Sequence, residues 1–239
     1  MCGIFGLVAA ENASLDRAGF QNLLETLFLQ SESRGKEAAG AAFCAEGYIN
    51  VIRKPLPASE LIGSVDYKDV LNAALNEFEG SKKRSLAVIG HARLVTNGMQ
   101  GIDANNQPVI KGGVVCVHNG IIVNEPMLWR SNPDLEKQTE VDTEIVAAFL
   151  NRALDRGDSI PKAACDVFQA LQGEASLGVL FAESDKLLLA TNTGSLYFVC
   201  NKKLGVTFYC SELAIAKRVL KHMGNDWLSS HIAQRGLLS

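Results

Sequence analysis

The sequence contains no closely spaced pair of cysteines. Without a C-x-x-C pair or a dense cysteine cluster, neither a disulfide framework nor a cysteine zinc site is expected. Scattered cysteines of this kind are typical of a reducing compartment. The six cysteines of the 239 residues are Cys2, Cys44, Cys116, Cys165, Cys200 and Cys210.

The chain also lacks a hydrophobic run long enough to cross a bilayer. The apolar stretch from Ile4 to Ala10 has no basic segment before it and ends at Glu11, so it does not resemble a signal peptide. Myristoylation is excluded because cysteine, not glycine, follows Met1. We therefore expect a cytoplasmic protein that does not bind membranes.

An excess of basic charge is absent as well, since the net charge is −3. Nucleic-acid-binding domains concentrate lysine and arginine on one face, so no nucleic-acid partner is expected. The length and the 47% hydrophobic content suit a single globular domain over residues 1–239. The pattern weakens after Gly224, so residues 225–239 are predicted to form a tail.

What the chain does have is a cysteine directly after the initiator methionine. Removal of Met1 would make Cys2 the N-terminal residue, with its thiol beside its own α-amine. That amine has an unperturbed pKa of about 7.7–8.0, so one residue could supply both nucleophile and base. The alternative is that Cys2 is a small residue that opens a buried strand, because free cysteine often behaves as a buried hydrophobe.

Hydrophobic spacing predicts many buried strands flanked by several helices. Ser14 or Asp16 is available to cap the first helix, and Ser211 to cap the last. Helices are expected around residues 20–28, 61–78, 141–154, 161–171 and 212–220, and strands at 4–10, 41–44, 48–52, 86–93, 114–117, 177–182, 187–191, 196–200 and 206–210.

Two of the predicted strands run into polar, glycine-bearing segments. One ends in His91-Ala92-Arg93 and is followed by Thr96-Asn97-Gly98; the other ends in His118-Asn119-Gly120. Functional residues often lie on loops held by a rigid scaffold, so these segments are expected to share a site. Taken singly, Asn119-Gly120 would be read as a hairpin turn, Arg93 as half of a surface salt bridge, and Asp142 as a helix cap.

Together the motifs resemble one family. The N-terminal Met1-Cys2-Gly3 with its apolar run, Arg34-Gly35, the two segments above, and Asp142-Thr143-Glu144 occur in the order found in class II glutamine amidotransferases, which are N-terminal-nucleophile hydrolases. The similarity is greatest to the glutaminase domain of glucosamine-6-phosphate synthases, and it covers the chain from Cys2 to about Leu220.

The resemblance implies an α+β fold, a four-layer α/β/β/α sandwich of two mostly antiparallel sheets. It also implies an enzyme that hydrolyses L-glutamine to glutamate and ammonia through a γ-glutamyl thioester on Cys2. In that scheme Asn119 and the Gly120 backbone N–H form the oxyanion site. Neither a metal nor an organic cofactor is required.

The remaining site residues are assigned by the same resemblance. Arg93 is expected to bind the substrate α-carboxylate through its planar fork, and Asp142 the α-ammonium. The segment Thr96, Asn97 and Gly98 would complete the glutamine pocket. Arg34 would place a positive charge near the nucleophile and favour its thiolate; His91 and His118 are interpreted as structural.

The sequence departs from the sugar-synthase pattern at Leu94, where those relatives carry an aromatic residue, and at Asn97, where they carry histidine. Both changes leave the mode of ammonia transfer open. Ammonia is expected to pass to an acceptor site on another domain or subunit, and a homo-oligomer remains open. The alternatives are a catalytically silent module that senses glutamine or supports a partner synthase, and an N-terminal-nucleophile amidase acting on another amide.

Overall fold

The computed structural model describes residues 2–80, 85–94, 103–182, 184–227 and 230–234. The strands in these ranges are β1 (Gly3–Ala9), β2 (Ala38–Ala45), β3 (Tyr48–Lys54), β4 (Leu86–Arg93), β5 (Val109–Lys111), β6 (Val114–Ile122), β7 (Gly173–Phe181), β8 (Leu187–Thr191), β9 (Tyr197–Asn201), β10 (Val206–Cys210) and β11 (Ile232–Gln234). The α-helices are α1 (Arg17–Ser31), α2 (Ala58–Leu61), α3 (Val65–Glu79), α4 (Glu125–Ser131), α5 (Thr143–Asp155), α6 (Ile160–Ala170) and α7 (Leu213–Met223).

The strands form two antiparallel sheets. One has seven strands in the order β11-β9-β10-β1-β4-β2-β3, and the other has four in the order β5-β6-β7-β8. Strand β1 lies in the middle of the larger sheet between β10 and β4. This position explains its continuous apolar sequence, since a central strand covered on both faces has no solvent side.

Alternation along each strand divides the apolar side chains between two kinds of layer. In β1, Phe5 and Leu7 pack against helices α1 and α7, whereas Ile4 packs toward the smaller sheet. The smaller sheet contributes Val117 to the same layer between the sheets. Helices α4, α5 and α6 cover its other face. The result is the expected four-layer α/β/β/α sandwich.

Most predicted elements are present, with shifted ends. The predicted helix over residues 61–78 is two helices, α2 and α3, because the chain turns at Gly63 and Ser64. The Ser64 hydroxyl accepts a hydrogen bond from the Tyr67 N–H at 3.2 Å and so starts the second helix. Asp16 caps α1 through the Gly19 N–H at 2.8 Å.

Two local predictions are wrong. Ser211 does not cap α7; its hydroxyl accepts a hydrogen bond from the Ile4 N–H at 3.1 Å and ties β1 to the end of β10. The strand predicted to end at residue 117 continues to Ile122 as β6, so Asn119 and Gly120 do not form the hairpin turn of the alternative interpretation. In both cases a contact with a distant strand outweighs the local preference.

Near the end of the described chain, Trp227 is buried in the helix-side core of the larger sheet. Residues Ile232–Gln234 then pair with β9 at the sheet edge. None of the described helices combines the length and the apolar character that crossing a bilayer demands.

Candidate active site

Cys2 directly precedes β1, at the end of the larger sheet where β1 begins and β4 ends. The register that pairs Gly3 with Ala92 places Cys2 beside the end of β4. Its Sγ donates a hydrogen bond to the Leu94 carbonyl oxygen at 3.4 Å. Since Ile4 points into the layer between the sheets, strand alternation directs the Cys2 side chain to the same layer.

The surroundings of the Cys2 thiol favour its protonated form. Burial raises its pKa above the ordinary value, the positive charge of Arg93 opposes that rise, and the negative charge of Asp142 adds to it. A nucleophile in this state needs a base to remove its proton. Because both charges act at the sulfur, Arg93 and Asp142 lie close enough to Cys2 to share a site with it.

Arg34 contacts the backbone of the cysteine. Its Nε donates to the Cys2 carbonyl oxygen at 3.4 Å, and its Nη1 forms an ion pair with Glu212 at 3.0 Å. A Cβ at Gly3 would stand 2.9 Å from Cγ of Arg34, so the arginine stem packs directly on this glycine. Arg34 thus holds the peptide that carries the thiol.

Arg93 is the last residue of β4 and is 4% exposed, so it is not the surface residue of the alternative interpretation. Its Nη1 donates to Oδ1 of Asn106 at 2.5 Å. Burial lowers the pKa of Arg93, while Cys2 and Glu37 raise it. Guanidinium stays protonated at any pH a protein tolerates, so the site carries a fixed, buried positive charge.

Asn119 lies in the middle of β6 and faces the layer between the sheets, as Val117 does two residues earlier. Its Oδ1 is buried without a hydrogen-bond partner among the described residues. A buried acceptor without a donor is costly and calls for an explanation. A bound ligand that orders this side chain would provide one.

Gly120 has a φ of +151°, a conformation that side-chain-bearing residues rarely adopt. A Cβ at this position would stand 1.8 Å from the Glu174 carbonyl oxygen on β7. Glycine is therefore required here to keep β6 against β7 immediately after Asn119.

Asp142 is the N-cap residue of α5 by position, but its carboxylate does not cap that helix. Instead Oδ2 accepts the Ile122 N–H at 2.9 Å, and Oδ1 lies 3.7 Å from Nδ1 of His118. Burial pushes the pKa of Asp142 up, but His118 and the Ile122 N–H outweigh it, so this pKa lies below the ordinary value. Asp142 is thus an anion held against the end of β6.

Thr96, Asn97 and Gly98 lie outside the described residues. The structure brings the other predicted residues, from Cys2 and Arg34 to Asp142, to one end of the sandwich. A depression of about 510 Å³ lined by Ile121, Glu140 and Asp142 opens beside them. A separate cavity of about 650 Å³, lined by Cys44, Tyr48 and Ser184, belongs to the opposite end of the strands.

A group of buried polar residues that the sequence pattern does not predict surrounds the site. Asn105, Asn106 and Gln107 are each at most 7% exposed, and each bonds to a different part of the site: Glu140, Arg93 and His118. Without hydrophobic periodicity, their sequence looks like any solvent-exposed turn. The run of three amides before Pro108 was the available signal.

Glu144 belongs to the Asp142-Thr143-Glu144 motif and has a structural role that the motif does not predict. Its carboxylate, 1% exposed, pairs with Lys111 at 2.8 Å and accepts the backbone N–H groups of Gln138 and Thr139. It therefore fixes the segment that leads to Asp142.

Comparison with known proteins identifies the family of this chain. The family profile described as a glutamine amidotransferase domain matches residues 91–217, more than half of the chain. The chain belongs to the class II glutamine amidotransferases. The matched segment contains Arg93, Asn119, Gly120 and Asp142.

Curated members of this amidotransferase family include the glutamine–fructose-6-phosphate aminotransferase (isomerizing) of Zymomonas mobilis, 31% identical over 200 residues, 82% of this chain and 29% of that protein. The enzyme of the same name from Rhizobium meliloti is 30% identical over 207 residues, again 82% of this chain and 29% of its own length. This amidotransferase chain thus spans less than a third of the curated relatives it matches.

Solved structures of similar fold are also amidotransferases or purine enzymes. One is the glutamine phosphoribosylpyrophosphate amidotransferase of B. subtilis in complex with ADP and GMP, with a TM-score of 0.65, 20% identity, and coverage of 91% of this chain and 43% of that one. Another, described as the allosteric regulatory enzyme of purine biosynthesis, has a TM-score of 0.66 and 19% identity and covers 98% of this chain and 44% of that one. These likenesses establish the N-terminal-nucleophile hydrolase fold.

Proposed function

We propose that this amidotransferase chain hydrolyses L-glutamine to glutamate and ammonia, with Cys2 as an N-terminal nucleophile. One observation carries the proposal: the register of β1 with β4 places Arg93 beside Cys2, and the Asp142 carboxylate lies at the same end of the sheets, close enough for both charges to affect the Cys2 thiol. A buried cation and a buried anion beside one nucleophile match the α-carboxylate and α-ammonium of an amino acid. An amide substrate without those groups would form no ion pair with Arg93 or Asp142.

In the first step the Cys2 sulfur bonds to the carbon of the glutamine side-chain amide. The thiol proton moves to the α-amine that Met1 removal frees, and the carbonyl oxygen becomes an oxyanion. When the tetrahedral intermediate collapses, the carbon–nitrogen bond breaks and the α-ammonium returns its proton to the departing ammonia. A γ-glutamyl thioester on Cys2 remains.

In the second step water attacks the thioester carbon and gives a proton to the α-amine. The carbon–sulfur bond then breaks, the sulfur regains its proton, and glutamate is released. One α-amine thus serves both steps as acceptor and donor. Its unperturbed pKa of about 7.7–8.0 suits transfer in both directions at neutral pH.

The oxyanion of both steps is assigned to the Asn119 side-chain amide and the Gly120 backbone N–H. The position of Asn119 supports this assignment, because its side chain is buried between the sheets directly before Gly120, where its Nδ2–H group can act as a donor. Arg93 and Asp142 hold the amino-acid end, and Thr96, Asn97 and Gly98 are proposed to complete the pocket. Arg34 positions the Cys2 peptide.

We assign the ammonia to an acceptor site on another domain or subunit, because the similar aminotransferases are more than three times longer than the matched region. Residues 1–239 are proposed to form a single amidotransferase domain that acts in the cytoplasm. The chain could also assemble with copies of itself into a homo-oligomer, and sedimentation velocity would measure the mass of that assembly.

The proposal is tested with the purified chain and L-glutamine. Intact mass should show loss of Met1, glutamate and ammonia should appear in equal amounts, and a glutamine-analogue diazoketone should label Cys2 stoichiometrically. Cys2→Ala should abolish all turnover and labelling, whereas Cys165→Ala, at an exposed cysteine on α6, should leave both unchanged. An active protein that retains Met1 would contradict the mechanism, and glutamine binding without turnover would favour a sensing or scaffolding module.

A further inference from the structure

Along the side of β6 that faces away from β7, several backbone N–H and C=O groups are bound by side chains and not by a neighbouring strand. In an antiparallel strand these groups belong to every second residue. Cys116 faces Val109 of β5. The next residues on the same side are His118, Gly120 and Ile122, and β5 does not extend to any of them, because β5 covers only Val109–Lys111.

Gln107 replaces the missing strand at His118. Extending the register by two residues beyond the Val109–Cys116 pair puts Gln107 opposite His118, but its side chain, not its backbone, makes the bonds. Oε1 accepts the His118 N–H at 2.6 Å, and Nε2 donates to the His118 carbonyl oxygen at 3.2 Å. One side-chain amide thus satisfies both backbone groups of a residue, as a neighbouring strand would.

Two further backbone N–H groups point away from β7, those of Gly120 and Ile122. The Ile122 N–H is bound by the Asp142 carboxylate. The Gly120 N–H lies between these two anchored positions by strand alternation, and no hydrogen bond outside the strand ladders occupies it among the described residues. The clamp on His118 and the carboxylate on Ile122 therefore bracket the unoccupied donor.

The clamped carbonyl of His118 belongs to the peptide whose nitrogen is that of Asn119. Fixing this peptide plane fixes the direction in which the Asn119 side chain leaves β6. The Gln107 amide is held in turn, because Nε2 also donates to the Thr143 hydroxyl at 3.1 Å and the residue is 7% exposed. The orientation of the Gln107 amide is therefore fixed by His118 on one side and Thr143 on the other, and little of it is exposed to solvent.

We propose that Gln107 is a positioning residue for the oxyanion site, aiming Asn119 and the Gly120 N–H by standing in for a strand that β5 does not provide. The proposal rests on the glutamine hydrolysis proposed above. It assigns Gln107 no contact with substrate. Misplacing catalytic groups by about 1 Å can cost about 10²-fold in rate, so the effect of its loss should fall on the chemical step.

The test compares Gln107→Leu, which loses the clamp, with Gln107→Glu, which keeps an acceptor for the His118 N–H but loses the donor to the His118 carbonyl. We expect kcat for glutamine to fall about 10²-fold in Gln107→Leu and less in Gln107→Glu. KM should change less than about threefold, because Arg93 and Asp142 keep their own partners and continue to bind the amino-acid end.

A pair of ligands separates positioning from loss of structure. Glutamate γ-semialdehyde forms a tetrahedral adduct with the Cys2 thiol and needs the oxyanion site, whereas L-glutamate needs only the amino-acid clamp. The affinity for the aldehyde should fall in parallel with kcat in the Gln107 variants, and the affinity for glutamate should stay within threefold of wild type.

Asn124→Leu is the matched control. Asn124 is equally buried and also clamps backbone, accepting the Gln172 N–H at 2.8 Å and donating to the Ala170 carbonyl at 2.9 Å. This variant should lose thermal stability but keep kcat and aldehyde affinity. Equal losses in Asn124→Leu and Gln107→Leu, or an unchanged kcat in both Gln107 variants, would overturn the assignment of Gln107. If Gln107→Leu does not fold, Gln107→Glu decides the same question.

The wild-type protein distinguishes this proposal from the one on which it rests. A wild type that neither hydrolyses glutamine nor binds the aldehyde more tightly than glutamate refutes both. Normal wild-type turnover with unaffected Gln107 variants refutes only the role of Gln107.

Discussion

Gly35 lies against the backbone of Arg93. A Cβ on Gly35 would stand 2.1 Å from both the carbonyl carbon and the carbonyl oxygen of Arg93. The Glu37 N–H donates to that same carbonyl oxygen at 3.3 Å, so the chain entering β2 supports the end of β4. The Arg-Gly pair of the sequence motif thus serves both sides of the site, since Arg34 holds Cys2 while Gly35 makes room for Arg93.

Gly35→Ala should therefore damage the site through the backbone. The added methyl group meets rigid backbone atoms, so either β2 or the end of β4 must move. We expect a lower melting temperature and a loss of glutaminase activity of at least about 10-fold, since small displacements of catalytic groups are expensive. Gly63→Ala is the control, because its Cβ would meet no atom closer than 3.4 Å. Equal losses of melting temperature and activity in the two variants would contradict the explanation that the added methyl group at Gly35 collides with the Arg93 backbone.

Arg93→Lys should weaken substrate binding while leaving the fold intact. Lysine keeps the charge but loses the planar fork that binds a carboxylate with two parallel hydrogen bonds. A hydrogen bond to a charged group is worth about 1.5–3 kcal/mol, so KM for glutamine should rise about 10- to 100-fold. Steady-state kinetics measure this. Arg152→Lys, on the surface of α5, should leave KM unchanged; a normal KM in Arg93→Lys would remove Arg93 from the substrate clamp.

The Cys2 thiol should react slowly with iodoacetamide in the unliganded protein at neutral pH. Because burial raises the pKa of Cys2, its thiol stays protonated where an ordinary cysteine begins to ionise. Its alkylation rate should continue to rise above pH values of about 8.5, the ordinary thiol pKa. Peptide mass spectrometry compares it with the exposed Cys165 in the same sample. Faster labelling of Cys2 at pH 7 would show a thiolate in the free enzyme.

Glu144→Gln should destabilise the protein by about 3 kcal/mol, because removing one member of a buried ion pair leaves the other uncompensated. The side chains of Glu144 and Lys111 are 1% and 14% exposed. Chemical denaturation measures the free energy of unfolding. Asp66→Asn, which breaks the exposed pair with Lys54, should cost less than about 1 kcal/mol. Equal losses in the two variants would mean that burial does not set the contribution of the pair.

Asp142→Asn should make stability less sensitive to acid. Since the folded-state pKa of Asp142 lies below its ordinary value, its contribution is present above the unfolded pKa and is lost as the pH falls through the folded pKa. Wild type should therefore lose more stability than the variant between pH 6 and about pH 3, through carboxyl protonation. Urea denaturation at both pH values gives the difference. A larger loss in the variant would reverse the expected sign.

Much of the fold could be predicted from local patterns. The apolar runs at residues 187–191 and 206–210 are strands with those same bounds, and the run after Cys2 is the central strand β1. Alternation and helical spacing are properties of neighbouring residues, so they are readable along the chain. The layering of the two sheets followed only from family resemblance. The order of the strands within each sheet was not predicted, because pairing joins residues that are far apart in sequence.

The sequence by itself determined which side chains are available to this protein: a cysteine that removal of Met1 would place beside an α-amine, a planar cation in Arg93, an anion in Asp142 and an amide in Asn119. Only the tertiary structure decided how these groups are used. It placed Asn119 inside a strand that was expected to end before it, turned Asp142 away from its helix toward Ile122, and used Ser211 to anchor β1. It also recruited Gln107 to complete β6. Each outcome depends on the register between distant strands, where a buried backbone group must find a partner that local sequence cannot reveal.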